Sequence, residues 1–373
     1  MAGPDIAAPP PTALWVCPVA DLAGVARHII DTARAGLPGW RLVVAAPEGP
    51  LLRELRELGT SVIPMPGEGG STAANVTALR RAIARLRPRI AHSHLAKADI
   101  LLAAASAALP VTLVTTEHHI SPDRYMFHPS RASATTMEIV HRARLTRFSG
   151  AIAVSASTKR DMVARWRPNV PIEVILNGVD RPVRRPERGP GLRMLSLSRL
   201  SPEKNVAMTL RAFARALELQ PSAMLTVAGA GEQDAALRAL ARGLGLARRV
   251  HFAGFVDAER AMVDHDVLLQ PSRSDNCSYA LLDAVAVGMG VAASPVGGNP
   301  EILPARCIAD LDDDAHFAEI AVTQGLHLSD RPDLGDSVPS VAEMTRRIVA
   351  VYDATLEHRR RHGRHTMQKA NAG

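Results

Sequence analysis

The sequence predicts an α/β protein made of two Rossmann-like, doubly wound domains that face each other across a cleft. Short apolar runs alternate with segments of helical periodicity along most of the 373 residues, which is typical of parallel sheets covered by helices on both faces. The alternation stops at a segment with three prolines, three glycines and four arginines, 177–191, and then begins again. Two successive halves of similar size imply a ligand-binding cleft between them.

The first predicted domain covers residues 13–176 and follows a flexible leader at 1–12. Apolar runs predict its strands at 13–17, 41–46, 61–65, 89–92, 111–116, 151–154 and 172–176. Apolar residues three to four positions apart predict its helices at 25–35, 51–58, 73–86, 96–108, 133–147 and 155–166. A polar segment at 118–129 interrupts the alternation.

The second predicted domain covers residues 192–335, after the linker at 177–191. Its predicted strands are 193–197, 224–228, 250–253, 267–269 and 291–293, and its longer predicted helices are 205–219, 233–244 and 279–287. An amphipathic helix at 341–356, within the segment 336–358, is expected to pack back on the first domain. Residues 359–373 form a basic tail that we expect to fray.

Composition limits the classes of partner. The chain is 47% hydrophobic and 22% charged, which is typical of a globular protein. Its net charge of +7 favours an anionic substrate or an acidic lipid surface. Nucleic acid is not an expected partner, because the chain has no recognition module and its 3% of aromatic residues offers few side chains on which bases would stack.

Export and membrane signals are missing from the sequence. The first residues, MAGPDIAAPPPT, lack the basic and apolar regions of a secretory signal. The most apolar segment, 100–114, is too short to span a bilayer and contains Pro110. Three widely spaced cysteines form neither a disulfide framework nor a metal-ligand pattern, so we expect a cytoplasmic protein without a bound metal.

The stretch 270–302, QPSRSDNCSYALLDAVAVGMGVAASPVGGNPEI, carries the densest set of site signals. A buried strand leads through a polar loop into a helix, a second strand and a Gly-rich turn, so two loops and a helix N-terminus share one sheet edge. Such an edge binds phosphate through backbone N–H groups. Asp275 lies in the loop and Asp283 in the helix. A carboxylate there also has a purely structural reading, since it stabilises the helix dipole by up to about 1 kcal/mol.

A second motif, SRLSPEKN at 198–205, lies where the first strand of the second half meets its helix. Arg199 and Lys204 place two cations beside a helix start, where a phosphate would bind. The structural alternative is a solvated loop with Ser201 as the N-cap and Pro202 in the first helical position. Lysine is scarce, with four in the chain, which favours a function for Lys204.

Two further motifs carry weaker signals. VAGAGEQD at 227–234 lacks the third glycine and the later acid of a dinucleotide fingerprint, so it predicts a tight turn near a ligand and not an NAD site. Histidines follow two predicted strands of the first half, in HSH at 92–94 and EHH at 117–119. Most histidines are surface groups, but one at a strand end beside a cleft is suited to hydrogen bonding or proton transfer.

Together these motifs resemble the GT-B glycosyltransferases, and among them the retaining glycosyltransferase family 4. SRLSPEKN is similar to the family's phosphate-binding turn, and VAGAGEQDAAL with VHFAGFV to its glycine turn and next strand. The acids at 275 and 283, continuing into VGGNPEI, resemble its two-glutamate signature. LNGVD stands before the linker, and HSH and TEHH stand where the family places histidines. The resemblance covers almost the whole chain.

The resemblance implies an activity and a set of donor contacts. It implies that a sugar is transferred from a nucleotide sugar, UDP- or GDP-linked, with retention of configuration and without a metal or other cofactor. Arg199 and Lys204 would hold the donor diphosphate together with backbone N–H groups near Leu281 and Leu282. Asp283 would bind the ribose hydroxyls.

The resemblance implies four more positions around the donor. His118 would be a catalytic residue near the transferred sugar, and Asp275 a second one beside the donor sugar. Gly24 would face the diphosphate from the first domain, and Asn276 stands in the donor-binding loop. The chain departs from the family pattern in that both signature glutamates are aspartates, Asn276-Cys277-Ser278 replaces the usual Gly-Phe-Gly, and the first loop keeps one glycine.

Two other functions are compatible with these residues. A nucleotide-sugar 2-epimerase on the same fold would need carboxylates facing the cleft from the first half, where Glu117 is the candidate. A non-catalytic protein that binds nucleotide sugars would need the donor contacts alone.

The acceptor is not identified by the sequence; a lipid-linked acceptor and a small-molecule glycoside both fit. Four arginines of the first half, Arg142, Arg144, Arg147 and Arg160, would attract an anionic membrane at its inner face, with about 1 kcal/mol per charge. The alternative is an ordinary solvated arginine surface.

Overall fold

A computed structural model describes residues 8–121, 130–182 and 189–370, and it confirms the predicted α/β class. The twelve strands described there form two parallel sheets. Seven belong to the first sheet: β1 (Thr12–Val16), β2 (Arg41–Pro47), β3 (Ser61–Met65), β4 (Ile90–His94), β5 (Thr112–Glu117), β6 (Gly150–Ala153) and β7 (Ile172–Val174). Five belong to the second: β8 (Arg193–Leu197), β9 (Met224–Ala228), β10 (Val250–Gly254), β11 (Val267–Gln270) and β12 (Gly290–Ala293).

Each sheet reverses its strand order beside its first strand. The first sheet has the order β3-β2-β1-β4-β5-β6-β7 and the second the order β10-β9-β8-β11-β12. The chain therefore leaves β1 and β8 on one side and returns on the other, which opens a crevice at the carboxyl ends of the strands. Such crevices lie between β1 and β4 and between β8 and β11.

Helices cover both sheets. In the first half they are α1 (Gly24–Ala35), α2 (Pro50–Glu57), α3 (Thr72–Leu86), α4 (Ala96–Ala105), α5 (Arg131–Leu145) and α6 (Ala156–Trp166). In the second half they are α7 (Val206–Leu219), α8 (Asp234–Gly243), α9 (Ala258–Asp264), α10 (Tyr279–Ala286), α11 (Asn299–Ile302), α12 (Asp314–Leu326) and α13 (Val341–Ala370). None of the helices in the described ranges is long and apolar enough to span a membrane.

The sequence analysis missed α12. This helix brings Phe317, Ile320 and Ala321 into the core of the second domain, where it packs on α7 and β12. It follows an Asp-rich turn and carries apolar residues on most of its surface, so its pattern lacks the polar face of an amphipathic helix.

Helix α13 crosses back to the first sheet. Val341, Met344, Ile348 and Tyr352 are buried in the core of the first domain. The Tyr352 hydroxyl accepts a hydrogen bond from the indole N–H of Trp15 at 2.7 Å. The last helix of the chain therefore stabilises the domain built from the first residues.

The helix also runs farther than expected, to Ala370, through most of the predicted basic tail. Arg359 lies in that predicted tail, yet its guanidinium donates to the Val111 carbonyl at 3.0 Å and to Thr112 Oγ1 at 2.7 Å. These bonds tie the extension to the start of β5. The sequence did not predict this helical extension, because the residues to which Arg359 bonds lie about 250 positions earlier in the chain.

A buried ion network lies under the carboxyl end of β5. Arg144 of α5 donates to Glu117 Oε2 at 2.7 Å and pairs with Asp99 of α4. Asp99 also accepts hydrogen bonds from Ser93 at 2.5 Å and Thr115 at 2.9 Å. The Arg144 side chain is 1% exposed, so its assignment to a solvent-facing arginine surface was wrong.

We expect Arg144→Met to destabilise the protein by about 3–5 kcal/mol, because it leaves Asp99 and Glu117 buried without their counter-charge. Urea unfolding of the variant and the wild type measures the loss. Arg142→Met is the matched control: Arg142 is exposed on the same helix and donates to a main-chain carbonyl, so its loss should cost less than about 1 kcal/mol. Equal stabilities for the two variants would contradict the role of the network.

Candidate functional site

The carboxyl ends of the two sheets face each other, and loops from both meet between them. The Ile120 N–H, after β5, donates to Asn276 Oδ1 at 3.2 Å. His119 Nε2 lies 3.1 Å from Ser274 Oγ of the loop after β11. The predicted cleft is therefore lined by the loop after β5, by the start of α1 and by the motif stretch 270–302.

Asp283, the predicted ribose-binding residue, forms an ion pair across the cleft. Both of its carboxylate oxygens bind the guanidinium of Arg27 on α1, and the Nη2–Oδ1 distance is 2.9 Å. The same guanidinium lies over the Tyr279 ring, 4.5 Å from its centroid. Burial raises the pKa of Asp283, an effect that the bonds to Arg27 oppose. Arg27 was not predicted from the sequence as the partner of Asp283.

Asp275, the other acid of the motif, lies beside Lys204. The Lys204 ammonium is 2.8 Å from Asp275 Oδ2, which also accepts a bond from Gln270 Nε2 at 3.0 Å. The turn after β12 holds this loop in place: Gly297 has φ +55°, and a Cβ there would lie 1.6 Å from the Asp275 carbonyl oxygen. Both predicted acids thus stand opposite a cation in one cleft.

Arg199 lies at the rim of the cleft and is largely exposed. It donates to Glu203 at 2.8 Å, and the Ser201 hydroxyl donates to the same carboxylate oxygen at 2.6 Å. Ser201 occupies the N-cap position and Pro202 the first position of a short 3₁₀ turn, Pro202–Lys204, that precedes α7, but the Ser201 side chain caps no N–H. Lys204 ends this turn and points at the neighbouring loop.

The glycines of VAGAGEQD serve a contact within the second domain. Gly229 has φ +135°, and a Cβ there would lie 1.8 Å from the Ser198 carbonyl oxygen. The Leu200 N–H donates to the Ala230 carbonyl at 2.9 Å. This turn therefore supports the SRLSPEKN loop through close backbone packing, and its approach to a ligand stays a prediction.

The Leu281 and Leu282 N–H groups at the start of α10 already have a hydrogen-bond partner in the N-cap residue, Ser278. The Leu281 N–H donates to Ser278 Oγ at 3.4 Å, and the Leu282 N–H donates to the Ser278 carbonyl at 3.0 Å. Both leucine side chains lie in the core of the second domain. Their predicted contact with phosphate stays a prediction, and both N–H groups have partners within the helix.

Asn276 joins the two domains. Its amide N–H donates to Thr158 Oγ1 at 2.7 Å, while its amide oxygen accepts the Ile120 N–H. With both ends engaged and 2% exposure, this side chain positions the loop and is not open to a donor sugar. Gly24 begins α1 directly opposite α10, where an added Cβ would lie 3.8 Å from Tyr279 Cδ2.

His118 belongs to a cluster of imidazoles at the first-domain wall. His94 Nδ1, at the end of β4, lies 2.9 Å from His118 Nε2. His28 of α1 packs against both rings, with centroids 5.5 Å and 5.0 Å away. Burial lowers the pKa of His28 to about 4 and holds the pKa values of His94 and His118 well below the ordinary range. The three rings are therefore neutral at pH 7.

Sequence reasoning missed two site residues, Arg27 and His28. Their signal is that α1 carries polar groups on its buried face, where His28 is 2% and Asp31 is 8% exposed. Buried charged or polar residues on an otherwise apolar helix face are uncommon without a partner. The pattern RHIID could have indicated buried polar residues on α1. It could not predict the partner of Arg27, because Asp283 lies 256 positions later.

An open pocket of about 540 Å³ lies at the carboxyl ends of β1, β2 and β3. Its apolar walls come mainly from prolines and aliphatic residues, and its three carboxylates are Asp21, Glu48 and Glu68. Glu48 pairs with Arg56 at 2.6 Å and Glu68 with Lys97 at 3.2 Å. The pocket lies at the same carboxyl edge of the first sheet as the loop after β5 and is large enough for a sugar ring.

Curated proteins match part of this chain. A glycogen synthase of Mycobacterium tuberculosis is 30% identical over 228 residues, which is 58% of this chain and 54% of the relative. A GDP-mannose-dependent phosphatidylinositol monomannoside mannosyltransferase of Mycolicibacterium smegmatis is 30% identical over 40% of this chain and 44% of its own. The chain thus spans about half the length of these relatives.

Solved structures match nearly the whole chain. A glycosyltransferase from Rickettsia africae aligns with a TM-score of 0.74 at 16% identity, covering 93% of this chain and 99% of that one. Anabaena HepE in complex with UDP-glucose aligns with a TM-score of 0.73 at 19% identity and the same coverage. These likenesses establish the fold.

Two family models match consecutive parts of the sequence. Glycosyltransferase Family 4 matches residues 22–181, the first sheet and its helices, and Glycosyl transferases group 1 matches residues 191–323, the second. Together the two ranges cover most of the chain and contain every predicted site residue, so the protein belongs to the family 4 glycosyltransferases of the GT-B fold.

Proposed function

We propose that the protein transfers a sugar from a nucleotide sugar to a hydroxyl acceptor with retention of configuration. The observation that carries the proposal is the pairing of Asp283 with Arg27 and of Asp275 with Lys204. Two acids and two cations from distant parts of the chain thereby line one cleft. A nucleotide diphosphate sugar offers groups for both: phosphates for the cations, and ribose and sugar hydroxyls for the acids.

Donor binding in this proposal proceeds by exchange of partners. The Lys204 ammonium leaves Asp275 for the diphosphate, and Arg199, exposed at the rim, binds the same phosphates as a second cation. Asp283 accepts hydrogen bonds from the ribose hydroxyls in place of Arg27. Charge-assisted hydrogen bonds are about twice as strong as neutral ones, so each exchange replaces a strong contact with one of similar strength.

In the transfer step, an acceptor hydroxyl oxygen bonds to the anomeric carbon on the face from which the diphosphate leaves. The C–O bond to the diphosphate breaks, and a departing phosphate oxygen takes the hydroxyl proton. His118, half-buried beside the cleft and neutral, would hydrogen-bond the transferred sugar. The pocket beside β1–β3 is the candidate acceptor site, because it lies at the same carboxyl edge of the first sheet as His118.

Both UDP- and GDP-sugars remain candidate donors. HepE was solved with UDP-glucose, and the mycobacterial mannosyltransferase is named for its use of GDP-mannose. Thermal stabilisation by a panel of UDP-, GDP- and ADP-sugars identifies the donor, since a ligand that binds the folded state raises its apparent stability. The anomeric configuration of the product, read by NMR, then tests retention.

The epimerase alternative loses its candidate residue. Glu117 is 4% exposed and is held by Arg144, so it does not offer a carboxylate to the cleft. A non-catalytic binding protein is distinguished from a transferase by an assay for sugar release. It binds the nucleotide sugar but releases no sugar with any acceptor in a broad panel.

Because Arg144 is buried, three of the four arginines are left as candidates for contact with a membrane. Arg142, Arg147 and Arg160 are exposed, and Arg142 of α5 donates to the Arg165 carbonyl of α6, so the surfaces of the two helices adjoin. Two large apolar side chains, Ile139 and Val163, are 61% and 51% exposed on these helices. Basic residues interspersed with exposed apolar ones suit the headgroup region of an anionic bilayer, which favours a lipid-linked acceptor.

Lys204→Ala and Asp283→Asn should each weaken binding of the identified donor about 10- to 150-fold, because each removes a hydrogen bond to a charged group that contributes about 1.5–3 kcal/mol. Calorimetric titration measures the change. Arg242→Ala, at an exposed position in the last turn of α8, is the control and should bind as the wild type does. Wild-type affinity in both cleft variants would refute the site.

We expect the protein to sediment with anionic vesicles and to be released by salt, because about 1 kcal/mol per arginine is screened as ionic strength rises. Replacing Arg142, Arg147 and Arg160 by glutamine should abolish the binding. The control variant replaces three exposed arginines at the other side of the domain, Arg81, Arg85 and Arg87. Sedimentation that ignores both lipid charge and salt would count against the membrane surface.

A further inference from the structure

We propose that His28, His94 and His118 form a binding site for a divalent transition-metal ion such as Zn²⁺, and that an ion bound there competes with the donor sugar for His118. One ring nitrogen of each histidine lies within 4.8 Å of those of the other two. The binding of the ion stands on this geometry alone. Its inhibitory effect rests on the proposed function.

The tautomer of His28 leaves a lone pair pointing into the cluster. Asn177 donates its amide N–H to the Cys277 carbonyl at 2.8 Å, so its amide oxygen is the atom that faces His28 Nδ1, at 3.2 Å. His28 Nδ1 must therefore be the protonated nitrogen, and Nε2 carries the lone pair. That Nε2 is buried and has no hydrogen-bond partner. Metal-binding histidines are oriented in the same way, by a bond from the other ring nitrogen to an oxygen.

The pair His94 and His118 supplies two more neutral imidazoles. At 2.9 Å, His94 Nδ1 and His118 Nε2 share one proton, so one of the two nitrogens already presents a lone pair to the other. His94 Nε2 is buried without a partner, as His28 Nε2 is. An unpaired buried polar atom costs about 1–3 kcal/mol, and two in contacting rings are unusual without a ligand.

His92, the fourth histidine nearby, is excluded from the ligand set. Its Nδ1 lies 2.6 Å from the Tyr352 hydroxyl and its Nε2 lies 2.8 Å from Thr116 Oγ1, so both nitrogens are engaged. Three histidines with a fourth position left for water or substrate are a frequent Zn²⁺ arrangement. His118 is the half-buried member of the three, so an ion would reach the cluster at its ring.

The ring positions require a small adjustment to hold an ion. With metal–nitrogen bonds of about 2.0–2.1 Å, ligand nitrogens around a tetrahedral ion lie roughly 3.4 Å apart. The 4.8 Å limit of the cluster is larger by about 1.4 Å, which rotation of the rings about their side-chain bonds closes. For His94 Nδ1 and His118 Nε2 both to bind the ion, the ring that donates the shared proton must carry it on its other nitrogen instead, and the hydrogen bond between the two rings is lost. His118 is then no longer available to a sugar.

The direct test is a titration of the intact protein with Co²⁺, whose visible absorption distinguishes a tetrahedral nitrogen site from the free hydrated ion, followed by calorimetric titration with Zn²⁺. His28→Phe keeps a ring stacked on Trp15, where the centroids are 5.8 Å apart, and removes the ligand nitrogen. It should lower affinity at least about tenfold. His118→Asn, at a half-buried position, is a second variant with the same expected loss. His119→Gln, beside it in the cleft, is the control and should bind as the wild type does.

The second arm measures sugar transfer with Zn²⁺ present and after its removal by EDTA. Zn²⁺ should inhibit the wild type reversibly, and His28→Phe, measured against its own metal-free rate, should need at least about tenfold more Zn²⁺ for half inhibition. Equal Co²⁺ spectra and affinities for the wild type and His28→Phe would overturn the metal site. A bound ion that leaves turnover unchanged would overturn the competition. If no nucleotide sugar is turned over, the proposed function fails, while the Co²⁺ titration still decides the site.

Discussion

The ion pair between Arg27 and Asp283 is the contact on which the site depends, because it joins the two domains across the cleft. It does not act alone. Glu301 of α11 accepts the first backbone N–H groups of α6 at 2.7 Å and 2.8 Å, so a carboxylate of the second domain caps a helix of the first. Asn177 joins His28 to the Cys277 carbonyl. A charge pair, a helix cap and an amide bridge thus hold the two sheet edges in register.

The two ion pairs of the cleft use the residues that a donor would need. Asp283 and Lys204 are paired with Arg27 and Asp275, so the cleft is electrostatically satisfied by its own side chains. Ion pairs of this kind keep the charges oriented, because each carboxylate and each cation already stands at hydrogen-bonding distance from the other. A diphosphate sugar would therefore meet groups that are in place and would exchange one set of charged contacts for another.

The histidines of the first domain are positioned by buried ion pairs and hydrogen bonds. Glu117, the residue before His118, is fixed at the end of β5 by Arg144, and Asp99 shares that guanidinium from α4. Below the cluster, His92 bonds to Tyr352 of α13 and to Thr116 of β5. The wall of the cleft is thus held by buried polar groups from α4, α5 and α13, and the last helix of the chain contributes to a site formed mainly by earlier residues.

The sequence by itself determined the two parallel α/β domains and the motifs that meet between them. Apolar runs, helical spacing and the turn residues of SRLSPEKN and VGGNPEI are local signals, and a parallel sheet brings the ends of its strands to one edge. The partner of each site residue was decided by the tertiary structure alone. Asp283 pairs with Arg27, Asn276 donates a hydrogen bond to Thr158, and Arg144 is buried against Asp99 and Glu117. The physical reason is that charged and polar side chains pair through space, at sequence separations from 27 to 256 residues in these cases, and no periodicity records such a pairing.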